Sequence, residues 1–367
     1  MLQYVYVKIK GGNERVIMEK GMGQMKKGVG TLGAVGTMAV LGCLKKNKSK
    51  KEKMKYNFLS EFTKEDLRTM PAFLFAMPFI KLMNRQGRKK QGNVVDGIVK
   101  KALQIHSFDG KKIQIYVYEP EDCGKEEKPC LIYYHGGAFC LDYLSFYHEI
   151  ASDYAKKANC KVVSVCYRTM ATDTYRTSLY DCYQTLLWVY ENAETLCIDR
   201  NRIAVGGDSA GGSFSAAVTH LTRDLGGPKI CYQMLNYPST SKSMEFKSMK
   251  KYADTPKWNS TLHKQFFSFI VPSIDDEMMP YFDLLAQNNF EGLCDAYVEV
   301  EEFDCLHDPG QQYAELLKKH GYEVFFNDVK GTFHAFDQMR GKEITKKMMT
   351  LRCEVLKKAF GENDERG

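Results

Sequence analysis

The chain has 367 residues, 44 % of them hydrophobic and 26 % charged, with a net charge of +7. That length buries a large core, as one big α/β domain with insertions or as two domains. The charge is unevenly placed: residues 1–55 hold thirteen Lys/Arg against Glu14, Glu19 and Glu52, so this segment carries +10 and the rest −3. A folded part without a basic stripe argues against a nucleic-acid partner. Twelve scattered cysteines with no C-x-x-C pair argue against zinc and for a reducing, cytoplasmic compartment.

Residues 1–24 show no clear period. Residues 25–46 begin at Met25-Lys26-Lys27, continue through seventeen uncharged residues and end at Lys45-Lys46. This resembles a signal peptide starting at Met25, with Cys43 in a weak lipoprotein-like box, but five glycines dilute its hydrophobicity and seventeen residues is short for a bilayer. The alternative is a flexible extension. The Lys-rich run 45–55 can rest on an anionic membrane surface, or simply be solvated. From 56 to 95 the pattern reads as helices of an N-terminal cap, broken by Pro71 and Pro78.

A strand series follows, with the catalytic domain expected over 96–367. Segments 99–107 and 112–118 bracket the Asp109-Gly110 turn as an antiparallel hairpin. Further strands are expected at 130–134, 161–167, 202–205, 230–236, 296–302 and 323–329. Helical patterns at 148–158, 179–193, 210–225, 311–319 and 343–360 lie between or after them. Such alternation implies a mainly parallel sheet covered on both faces. Residues 238–287 interrupt it and read as an insertion above the sheet.

Residues 202–213, RIAVGGDSAGGS, pass from an apolar strand through a small-residue turn into a helix. G-x-S-x-G at such a turn is a nucleophile elbow, although an ordinary glycine-rich turn has the same composition. A serine hydroxyl needs an adjacent base to attack a carbonyl. Gly207 and Gly211 leave room where the strand and helix backbones pass closely. Just past the later strands stand Asp304 and then His334, completing the order Ser, Asp, His of the α/β-hydrolase fold. Strand ends converge in open α/β sheets, so residues distant in sequence can meet there. Asp308 shares the loop with Asp304; Asp304 lies nearer the strand end, and Asp308 suits a cap for the helix after Pro309. Upstream, strand 130–134 runs into His135-Gly136-Gly137-Ala138. Its free N–H groups, with that of Ala210, can bind an oxyanion, each donor contributing roughly 3–4 kcal/mol. His135 is expected to hold the glycine loop; Asp208 either positions the elbow or is a solvated turn residue. Phe73, Phe75, Phe79, Phe266, Phe267 and Phe269 either line an acyl pocket or belong to plain core.

Together HGGAF (135–139), GDSAGG (207–212), EFDCLHD (302–308) and FHAF (333–336) resemble the hormone-sensitive-lipase-like esterases of the α/β-hydrolase fold. The resemblance spans about residues 95–360. It implies Ser209 as nucleophile, His334 as base and Asp304 as the acid orienting it. By the same resemblance Gly136, Gly137 and Ala210 form the oxyanion hole, and the N-terminal helices with 238–287 make a cap. The chain departs from the family at Ala138, where a third glycine is common, at Cys305 for proline and at Cys166 for aspartate. Thr169–Thr172 also replaces a proline-bearing segment. The expected enzyme hydrolyses short-chain acyl esters, acetyl included, through an acyl-enzyme intermediate, with no metal or cofactor. An amide hydrolase with the same triad, a silent binding protein on the fold, and an envelope-tethered esterase are the alternatives.

Overall fold

Residues 130–134, 162–165 and 203–205 carry apolar or small side chains almost without interruption, as strands do when both faces of their sheet are covered. The computed structural model describes residues 6–7, 15–16, 55–71, 76–87 and 92–361. Contacts divide the chain between Lys55 and Tyr56 into two units. In the first, Tyr6–Val7 pairs antiparallel with Arg15–Val16. The apolar stretch at 25–46 and most of the Lys-rich run lie outside the described residues. No described helix is long and apolar enough to cross a membrane.

The second unit is built on eight strands: β1 (Ile98–His106), β2 (Lys112–Pro120), β3 (Lys128–Tyr134), β4 (Lys161–Cys166), β5 (Ile198–Asp208), β6 (Tyr232–Asn236), β7 (Ala296–Glu301) and β8 (Val324–Val329). Their spatial order is β8-β7-β6-β5-β3-β4-β2-β1. Strands β3 to β8 pair in parallel, while β2 runs antiparallel to both neighbours. Every strand read from the sequence is present. After β3 the chain forms β4 on one side and then β5 on the other. The crevice at the end of β3 is therefore a topological switch point, where open α/β sheets bind ligands.

Side chains alternate between two cores. Cys130, Ile132, Tyr134, Val163, Val165 and Val205 face one. Leu131, Tyr133, Val162, Ala204 and Met234 face the other. Helices α3 (Tyr175–Glu191), α4 (Ala210–Asp224) and α8 (His307–Lys319) cover the first, and α2 (Phe146–Lys157) with α9 (Glu343–Ala359) the second. Seven cysteines, Cys130, Cys140, Cys160, Cys182, Cys294, Cys305 and Cys353, are buried free thiols. Burial pushes Cys140 and Cys353 up to about 12, so they stay protonated.

Among the described residues, the helical pattern expected over 56–95 is realised in α1 (Met77–Gly87), with Pro78 in its first turn, where a missing N–H costs nothing. Residues 56–71 form turns and extended chain instead. Their aromatic residues anchor on neighbouring loops, a tertiary demand that overrides local propensity. Phe58 packs edge-on against Phe303 and Phe333, at 5.0 and 5.4 Å between ring centres. Phe62 lies 5.0 Å from Phe333, and Leu59 N–H donates to Gly331 O at 3.0 Å. Residues 238–287 contribute α5 (Lys247–Lys251), α6 (Ser260–Ile270) and α7 (Met279–Phe282). Asp308 stands in the first turn of α8 rather than at its cap, because the helix already begins at His307. Its carboxylate accepts the Ser248 N–H at 2.8 Å, serving the start of α5 instead.

Between α9 and the sheet lies a buried polar cluster. Arg352, 1 % exposed, donates to Asp337 at 2.7 Å and pairs with Glu299; the Tyr237 hydroxyl donates to Asp337 at 2.7 Å. A buried cation and its partners are mutually dependent, since removing one leaves uncompensated charge. Arg352→Met should lower unfolding stability by about 3–5 kcal/mol, read as an earlier midpoint in urea denaturation.

Candidate active site

The nucleophile elbow takes its shape from lack of space. Strand β3 pairs with β5 so that Tyr134 lies opposite Gly207. A Cβ on Gly207 would sit 2.7 Å from the Gly211 carbonyl carbon, and one on Gly211 would sit 2.8 Å from His135 O, with Tyr134 O closer still to both. Only glycine fits at these positions. The chain then turns through Ser209 at φ +56°, ψ −116°, an unfavourable conformation for a side-chain-bearing residue. Helix α4 begins at the next residue, Ala210.

The three expected residues meet. Asp304, fully buried in the turn after β7, lies 2.6 Å from His334 Nδ1 through Oδ2. Its Oδ1 accepts the Leu306 N–H at 2.9 Å, which fixes the carboxylate plane. His334 Nε2 lies 2.9 Å from Ser209 Oγ. An ionised carboxylate accepts only, so the imidazole proton belongs on Nδ1 and leaves the Nε2 lone pair for the serine hydroxyl. Tyr237 packs edge-on against His334 at 5.0 Å between ring centres.

The glycine loop divides its tasks. The Tyr147 hydroxyl lies beside Gly136, 3.0 Å from where a Cβ on that residue would stand. The N–H groups of Gly136, Gly137 and Ala138 donate to no backbone carbonyl. Ala138, at φ +51°, and Ala210 both line the cavity beside Ser209. Ala138 thus keeps the N–H of the family's third glycine position, in the left-handed conformation that glycine would adopt freely. His135 is structural: its Nδ1 donates to Gly136 O at 2.8 Å and its ring stacks on Tyr167 at 4.1 Å. Burial pulls it down to about 4, which keeps it neutral. Asp208 is no solvated turn residue. It accepts from Tyr133 and, at 2.8 Å, from Asn236, under the elbow it supports. Burial, followed by the Asp337 carboxylate, pushes it up to about 6.

The cavity beside Ser209 measures about 10 Å³ and is lined also by Phe139, Ser239, Trp258, His263, Phe267 and Leu306. Trp258, His263 and Phe267 come from the inserted segment. Of the six phenylalanines, Phe267 lines the cavity, Phe266 is core, and Phe79 and Phe269 are exposed; Phe73 and Phe75 lie outside the described residues. A larger cavity of about 360 Å³ is lined by Gln114, Tyr116, His148, Cys166 and Arg168, among others, and touches none of the three.

Comparison with known proteins identifies the fold and the family. The family described as alpha/beta hydrolase fold matches residues 131–338. Carboxylesterase NlhH of Mycobacterium tuberculosis is 35 % identical over 233 residues, 62 % of this chain and 73 % of that one. Esterase LipI of the same organism is 33 % identical over 224 residues, 60 % of this chain and 69 % of that one. The hyperthermophilic esterase from the archaeon Pyrobaculum calidifontis superposes with a TM-score of 0.67 at 26 % identity, covering 79 % of this chain and 91 % of that one.

Behind the triad, Glu301 of β7 is fully buried and both its carboxyl oxygens lack partners. Burial, with Glu299 and Asp304 nearby, holds its pKa well above the ordinary 4.5. A carboxyl that is harder to ionise folded than unfolded opposes folding increasingly as pH rises above its unfolded value. Glu301→Gln, shaped like the protonated acid, should therefore melt higher than the parent at pH 8. The difference should shrink toward pH 4.5 in thermal scans across that range.

Proposed function

The chain belongs to the alpha/beta-hydrolase fold family, among its hormone-sensitive-lipase-like esterases, and on that premise we propose that it is a serine carboxylesterase for short-chain acyl esters. The observation that carries the reading is the pair of hydrogen bonds at His334, one to each partner at attacking distance. His334 Nε2 takes the Ser209 proton as Oγ attacks the ester carbonyl, and Asp304 stabilises the resulting imidazolium. The negative oxygen of the tetrahedral intermediate is held by N–H groups of the glycine loop, among Gly136, Gly137 and Ala138, together with that of Ala210. His334 then protonates the departing alkoxide, leaving the acyl group on Ser209. Water, giving its proton to His334, releases the acid and restores the serine.

Chain length follows from room. A cavity of about 10 Å³ corresponds to about one water-sized probe. Phe139, Trp258 and Phe267 wall it, so an acetyl group fits with small adjustments and a long acyl chain needs the insertion to move. With p-nitrophenyl esters from acetate to palmitate, kcat/KM should be highest at two or three carbons and fall steeply beyond six. Ser209→Ala should lose a factor on the order of 10⁴ or more. No turnover of any ester and no labelling by a fluorophosphonate would overturn the reading. Labelling without ester turnover would shift it to amide substrates.

A further inference from the structure

One histidine in the cavity plays no part in the triad. His263, in the first turns of α6, is fully buried and lines the space beside Ser209. Its Nδ1 lies 3.3 Å from Trp258 Nε1. An indole N–H can only donate, so Nδ1 is the acceptor and the proton of the neutral ring sits on Nε2. Nε2 is buried and has no hydrogen-bond partner. Phe267 packs against the ring, tilted by 30°, at 3.7 Å between centres, which limits its freedom to turn away. Burial, and then the nearby His334, pull its pKa down to about 3, so the ring stays uncharged in any neutral assay.

A buried donor without a partner is costly, and such groups are rare unless a ligand or water completes them. We propose that His263 is a specificity-determining residue whose Nε2–H hydrogen-bonds an uncharged acceptor oxygen one to three bonds from the scissile carboxyl. Substrates with an ether, hydroxyl or carbonyl oxygen there relieve the unpaired donor, and plain alkyl chains of the same shape do not. The inference rests on the esterase reading above. The oxygen can belong to the acyl or the alcohol arm, and isosteric pairs separate the two.

The test compares p-nitrophenyl methoxyacetate with p-nitrophenyl butyrate for the acyl arm, and 2-methoxyethyl acetate with butyl acetate for the alcohol arm. In the wild type one pair should show a kcat/KM preference for the ether member of roughly three- to thirtyfold, beyond the ratio for alkaline hydrolysis. His263→Phe should bring that ratio to the uncatalysed one. His263→Gln, which can accept from Trp258 and still donate, should retain most of it. Ratios equal to the uncatalysed ones for both pairs in the wild type would overturn the inference, whatever the variants do. That outcome differs from failure of the esterase reading, in which none of the four esters is turned over.

Discussion

The carbonyl of Tyr134 pressed against Gly207 and Gly211 is the constraint on which the rest of the site depends. It brings the end of β3 within backbone contact of the elbow, which no other residue types at 207 and 211 would permit. Because that approach is close, the glycine loop leaving β3 and the helix leaving Ser209 open onto one cavity. The strained turn at Ser209 costs about 1–3 kcal/mol. Surrounding bonds offset it, among them Ser209 N–H to Asn236 O at 2.8 Å.

The acid and the base reach this point from strands two and three places away from the elbow strand. Strands β7 and β8 lie side by side in parallel register, Glu301 opposite Val329, so their trailing loops leave the sheet together. Asp304 and His334 are thus neighbours by topology, and only His334 must reach across the ends of β7 and β6 to the serine. The residues preceding each, Phe303 and Phe333, are clasped by Phe58, while Phe62 packs on Phe333. The segment at 56–62 is therefore part of what holds the acid and the base at their separation.

Most of this was legible because strongly local chemistry encodes it. Short runs rich in apolar residues marked eight strands, and each triad member sits in the turn or loop that follows a strand, where side-chain identity carries meaning. What failed to show was tertiary. Tyr56–Phe62 looked helical because its aromatic spacing does not say whether the rings meet one helix face or separate loops. The two glutamates of AYVEVE in β7, Glu299 and Glu301, are both fully buried, which their polar character alone does not announce. Arg352, which pairs with Glu299, lies 53 residues away on α9.

The buried cysteines have a consequence for what happens when the fold is lost. While the chain is folded, thiols such as Cys140, Cys182 and Cys305 are shut away from oxidants and from one another's reach. Unfolding releases them all at once into a chain where any pair can meet. Exchange among so many partners is combinatorial, so an oxidising medium would trap mispaired chains faster than the sheet could reassemble. Reversible folding of this protein thus depends on a reductant outside it, and the rate at which its thiols become titratable is a direct clock of its opening.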